Sequence, residues 1–287
     1  MTDPQEEQLP AYALAWESAV GTSWKMTDGV AALINMKAWA GEHKKPRWRL
    51  VDPAMVEYWQ PPANILDLRW SRSHPPARPW RRWDMRAAYL NAMAQVQLPY
   101  RQLRATGPGV DGTAVGYYQV RMTLGQTHQL WLPRPDRKGC LWVTHDEMPT
   151  VRLGAHEIID SWTSDDSGRI LRNWAEHWRD VIEANPRLRQ PLKMGYAQAV
   201  GLMGAKTQGV YRPDWRHFII GFVRQSMRRR ILAAERATGL QPVRIDVDSI
   251  WYDDAATLDH PATMLGLTAA LGVGDRIGQL RYEGIEP

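Results

Sequence analysis

Cysteine is nearly absent from this 287-residue chain. Cys140 stands alone, which excludes an intramolecular disulfide and a cysteine-held zinc cluster, and favours a reducing, cytoplasmic setting. Long apolar runs are absent as well. No stretch approaches the roughly eighteen residues of a membrane span, and the acidic start MTDPQEEQ lacks the basic and apolar regions of an export signal. A chain neither exported nor anchored is expected. Phenylalanine is scarce, with 2 against 15 tryptophans, and arginine far outnumbers lysine. That skew reflects a GC-rich coding sequence rather than chemistry. Most of the indoles belong in a core, with their N–H groups partnered. No internal repeat and no low-complexity tract occurs.

What is present is an ordinary globular balance, 44% hydrophobic and 23% charged, on a chain long enough to bury a substantial core. A net charge of +5 suits a polyanionic partner. Helical spacing is expected over Tyr12 to Ala19 and Val30 to Trp39, followed by the Pro- and Arg-rich stretch PPANILDLRWSRSHPPARPWRR, read as a linker. The segments VGYYQVRM and HQLWLPRP alternate with period two and predict antiparallel strands. An amphipathic helix is expected from about Gly168 to Ile182, with Leu171, Trp174, Trp178, Val181 and Ile182 on one side and Pro186 ending it. Another is expected from Asp214 to Arg236, with arginines 224, 228, 229 and 230 mostly outside its apolar stripe, as on a solvated face. The segment QPVRIDVDSIWYDD reads as two short strands with acidic residues at their junction.

Three separated segments belong together. Asp84 ends a short strand before a helix opened by Tyr89, Lys193 lies on a helix, and Asp246 and Asp248 alternate with apolar residues. Two residues apart on a strand, Asp246 and Asp248 point the same way unless a turn splays them, so three carboxylates are expected to meet. Such a cluster is costly unless a cation neutralises it, and magnesium, with its preference for oxygen ligands and phosphates, is the natural occupant. Two such ions support an in-line displacement at phosphorus. Lys193 and Arg189, one helical turn apart, supply cations for the phosphates.

In order and spacing these segments resemble motifs A, B and C of family B DNA polymerases, most closely the protein-primed polymerases of bacteriophages and linear plasmids. Motif A, Asp-x-x-Ser-Leu-Tyr-Pro, is matched by Asp84-Met85-Arg86-Ala87-Ala88-Tyr89-Leu90. Motif B, Lys-x-x-x-Asn-Ser-x-Tyr-Gly, keeps only Lys193 and Gly201, with Ala197, Gln198 and Val200 replacing Asn, Ser and Tyr. Motif C, Tyr-x-Asp-Thr-Asp-Ser-Ile, is matched by Arg244-Ile245-Asp246-Val247-Asp248-Ser249-Ile250, and the later Leu-Gly-x-Trp-Lys-x-Glu by Ile277 to Glu283. The resemblance spans roughly residues 80 to 285.

The resemblance implies an α+β fold: an antiparallel-sheet palm with a helical fingers-like insertion and a helical N-terminal segment. It divides the chain into a helical region and linker over 1–80, a first palm part over 81–150, a fingers-like element over 151–204 and a second palm part over 205–287. It implies a minimal DNA polymerase or nucleotidyltransferase with two Mg²⁺ or Mn²⁺ ions, held by Asp84 and Asp248 with Asp246 as an auxiliary carboxylate. Tyr89, Lys193 and Arg189 are the implied nucleotide contacts, and Arg187, Arg224 and Arg228 the implied DNA contacts. DNA, deoxynucleoside triphosphates and a priming protein or processivity partner are the implied partners. The first 80 residues are too few for an exonuclease domain and contain no Asp-x-Glu, and the chain stops where a thumb is expected, so no proofreading is expected, with synthesis distributive or dependent on a partner. The alternative is a catalytically inactive, palm-derived protein that binds DNA ends or a priming protein.

Overall fold

Two antiparallel sheets and one long buried helix organise the protein, in a computed structural model that describes residues 11–21, 27–40, 45–50, 69–71, 75–206, 209–258 and 261–286. Helices α1 (Ala11–Val20) and α2 (Asp28–Trp39) come first, then strands β1 (Arg69–Ser71) and β2 (Trp80–Met85) and helix α3 (Ala88–Gln95). Strands β3 (Leu98–Pro99), β4 (Arg104–Ala105), β5 (Val115–Arg121), β6 (Cys140–Thr144), β7 (Glu157–Ser164) and β8 (Ser167–Gly168) lead to helices α4 (Arg172–Ala184), α5 (Arg189–Leu202) and α6 (Pro213–Thr238). The hairpin β9 (Arg244–Asp246) and β10 (Ser249–Asp253), helix α7 (Pro261–Leu271) and strand β11 (Leu280–Glu286) follow.

The first sheet has the order β1-β9-β10-β2-β11, so strands distant in sequence become neighbours. Half of the stretch read as a linker lies outside the described residues, but Arg69–Ser71 within it forms the edge strand β1, paired with β9, and its last residues, from Trp80, open β2. The second sheet, β4-β7-β5-β6, packs Tyr118, Val120, Leu141 and Val143 into a core of its own. The division expected at residue 150 falls inside this sheet, because β7 pairs with β5. HQLWLPRP forms no strand. Thr123 caps a short helix, Leu124–Gln129, and Pro133 and Pro135 lack the N–H groups a ladder needs, so β5 takes CLWVT as its partner instead.

Helix α6 starts at Pro213 and ends at Gly239, whose φ of 71° suits the left-handed cap. Its entry is anchored by Arg212, which reaches both carboxylate oxygens of buried Asp214, at 2.9 and 2.6 Å, and the Pro99 carbonyl at 2.8 Å. The N-terminal helices pack on the later ones. Asn35 is fully buried on α2, accepts from the indoles of Trp174 and Trp178 at 2.7 Å each, and donates to the Val20 carbonyl. Trp16 lies so close to Gly195 on α5 that an added Cβ would meet its ring at 2.9 Å.

Candidate functional site

On β2, Trp83 and Met85 are buried on one face, which leaves the Asp84 carboxylate on the other. Antiparallel pairing sets Arg281, Asp84, Ser249 and Asp246 in one row across β11, β2, β10 and β9. Directly opposed residues share a face. Ser249 Oγ donates to Asp84 Oδ1 at 2.5 Å and accepts from Arg82 Nη2 at 3.2 Å, which orients the carboxylate.

Between the aspartates of the hairpin, Val247 has φ 52°, a left-handed conformation that a β-branched residue rarely adopts. The turn is fixed by the Met85 N–H, which donates to the Asp248 carbonyl at 2.8 Å. Asp248 is thereby carried towards Asp84. Burial first, and the charge of Asp84 second, push its carboxyl up to about 6, against the opposing charges of Lys193 and Arg82. Asp246 does not join them. It lies two strands from Asp84, roughly 10 Å at the usual strand spacing, and Arg244 Nη2 holds its Oδ2 at 3.2 Å. The expected meeting of three carboxylates is therefore corrected to a pair. Among the described residues, no group of three or more His, Cys, Asp or Glu side chains is placed to hold a metal ion.

Beside the pair opens a cleft of about 260 Å³, whose walls include Asp84, Arg86, Arg189, Lys193, Tyr196 and Arg281. Arg189, Lys193 and Tyr196 recur at i, i+4 and i+7 on α5, a single stripe of the helix. That stripe sets two cations against the carboxylates. Tyr89 is half-buried on α3, packed against the core, and is not one of the cleft walls; burial and the charge of Asp248 raise its hydroxyl. Arg187 is exposed in the turn Pro186–Leu188, outside the cleft.

Arg224 and Arg228 are corrected outright: both are buried and neither is a DNA contact. Arg224 Nη2 donates to Glu147 Oε2 at 2.8 Å, and Arg228 Nη1 to Glu147 Oε1. Their stretch of helix is polar in sequence, yet the second sheet covers it and brings the carboxylate that neutralises it. Of that arginine run only Arg229 is exposed; Arg230 Nη2 donates to the Gly278 carbonyl at 2.7 Å.

Sequence reasoning misses Tyr196 and Arg281. The signals were the i+3 spacing of Tyr196 from Lys193 and the place of Arg281 in the segment Ile277 to Glu283. It also misses a wider cleft of about 910 Å³ on the second sheet, among Arg121, Arg134, Arg137 and Lys138, which shares no wall residue with the one at Asp84. The smaller cleft is the better candidate for chemistry, because there Asp84, with Asp248 beside it, faces Arg189 and Lys193.

No protein-family model matches the chain, and no curated protein matches it significantly. Solved structures do match. Phi29 DNA polymerase complexed with single-stranded DNA superposes with a TM-score of 0.65 at 15% identity, over 95% of this chain and 54% of that one. Its ternary complex with primer-template DNA and incoming nucleotide substrates superposes with a TM-score of 0.65 at 14% identity, over 95% of this chain and 55% of that one. The chain spans about half the length of that polymerase, and at such identity the likeness is one of fold: mixed α and β, with antiparallel sheets, related to a DNA polymerase.

Proposed function

We propose that this chain is a nucleotidyltransferase of the family B DNA polymerase kind, joining deoxynucleotides to a primer or protein hydroxyl with two divalent ions. The observation that carries this reading is the pair Asp84 and Asp248 set against Arg189 and Lys193 beside one cleft. The polymerase-like fold supports it. Two neighbouring carboxylates, the charge of Asp84 adding to burial in raising that of Asp248, offer only oxygen donors and fit a hard cation such as Mg²⁺ or Mn²⁺. Asp84 and Asp248 are the ligands we assign. When bound, such ions activate an attacking hydroxyl and stabilise leaving pyrophosphate.

The chain's own groups do the rest. Ser249 keeps Asp84 oriented, Lys193 and Arg189 hold the triphosphate and offset its developing charge, and Tyr89, beside Asp248, is assigned to sugar selection. Arg187 and Arg189 belong to the DNA-binding surface. The test is incubation with labelled deoxynucleotides, Mg²⁺ or Mn²⁺, and primed, unprimed or no template. Metal-dependent products from wild type, lost in Asp84→Ala and Asp248→Ala, are expected, and their length separates polymerisation from addition of one or a few nucleotides. Incorporation that survives in Asp248→Ala sinks the assignment. DNA binding without any metal-dependent product would favour the palm-derived binding protein instead.

A further inference from the structure

Tyr196 is only 3% exposed, yet it is a wall of the cleft that also holds Asp84, Arg189 and Lys193. Its ring belongs to the main core, and burial first, then the charges of Asp248 and Asp84, raise the pKa of its hydroxyl and disfavour ionisation. The hydroxyl is a hydrogen-bond donor on the wall that also carries Asp84. It makes no hydrogen bond within the described residues. The hydroxyl itself keeps a small opening onto the cleft, so a ligand lying there can accept a hydrogen bond from it. A tyrosine needed only for packing could have been a phenylalanine at this position.

We infer that Tyr196 is a nucleotide-binding residue whose hydroxyl donates a hydrogen bond to a phosphate oxygen of the incoming deoxynucleoside triphosphate. The inference rests on the nucleotidyltransferase reading and names a contact within it. Phosphate is favoured over base or sugar for two reasons. The ring faces are packed in the core, so no base stacks on them. Arg189 and Lys193 share the helical stripe of Tyr196, so the anionic part of the substrate runs along that stripe.

The test compares wild type with Tyr196→Phe, which removes the hydroxyl and keeps the ring. The probe is a fluorescent deoxynucleoside triphosphate with Mg²⁺, titrated at equilibrium, with thermal melting and DNA affinity measured in parallel. A hydrogen bond to a charged group is worth about a tenfold change in affinity or more. Nucleotide binding about tenfold weaker, with DNA affinity unchanged and the melting temperature unchanged or higher, is the expected result. In turnover the loss falls on KM rather than kcat. Wild type and Tyr196→Phe binding the nucleotide equally overturns the inference and leaves the function standing. Failure of wild type to bind any nucleotide overturns both.

Discussion

Glu147→Gln provides the sharpest test of how the second sheet is joined to α6. The Glu147 carboxylate is fully buried, receives Arg224 and Arg228, and accepts from the Thr144 N–H at 3.0 Å and the Thr144 hydroxyl at 3.2 Å. Burial works to raise its carboxyl, but the two guanidinium groups prevail and hold it below the ordinary range. Removing one partner of a buried ion pair costs about 3–5 kcal/mol, because the remaining charge stays uncompensated. Here two arginines lose their partner at once, so about 5 kcal/mol is expected, a large part of the roughly 5–15 kcal/mol that holds a domain together. For a chain of this size, about 1 kcal/mol moves Tm by roughly 2–4 °C. Thermal melting should thus fall by about 10–20 °C, and the fall should persist at high salt, since buried charges are little screened. The exposed pair Arg121–Glu157, at 2.7 Å, is the control: Arg121→Ala should cost less than about 1 kcal/mol. The sign with pH follows from the depressed carboxyl. Its contribution is present above the unfolded value near pH 4.3 and is lost as pH falls through the lower folded value. A Glu147→Gln protein that melts within about 2 °C of wild type at both salt concentrations would refute the reasoning and return Arg224 and Arg228 to solvent.

Other expectations concern the site and its surroundings. Arg187→Ala and Arg189→Ala should each weaken DNA binding irrespective of sequence and flatten the log–log salt slope by about 0.9 per lost duplex phosphate contact; an unchanged slope removes that residue from the interface. Val247→Gly should raise the unfolding free energy read from urea denaturation by about 1 kcal/mol, since relief of left-handed strain outweighs the entropy of glycine, and a lowered free energy contradicts it. Asp146 is pushed up to about 7 by burial first and the charge of Glu147 second, against Arg229. Protonation of Asp146 therefore favours the fold, a contribution present below its unfolded value near pH 3.9 and lost as pH rises through about 7. Asp146→Asn should match wild type at pH 4 and exceed it at pH 8 by at least about 1 kcal/mol in chemical denaturation; curves that coincide at pH 8 remove Asp146 from the pH dependence.

Much of the fold was legible because local patterns and final structure agree. Strand β5, the hairpin β9–β10 and helices α4 and α6 follow from period-two and helical spacing, with Pro213 and Gly239 marking the ends of α6. The nearness of Asp84, Asp248 and Lys193 was anticipated by the order of three short segments. The failures at the site share one cause, that spacing along the chain says nothing about which surface another element will cover. Arg224 and Arg228 read as solvated because their future partner, Glu147, lies 77 and 81 residues away and arrives only when the second sheet packs on α6. Asp246 and Asp248 read as one cluster because strand periodicity ignores the turn at Val247, and the strand order puts Asp246 two strands from Asp84. Sequence by itself determined the long helices, strand β5 and where the acidic hairpin lies, since these depend on propensity and local pattern. Only the tertiary structure decided which carboxylates pair, which arginines are buried and that Tyr196 reaches the cleft, since these depend on contacts between segments that the chain leaves far apart.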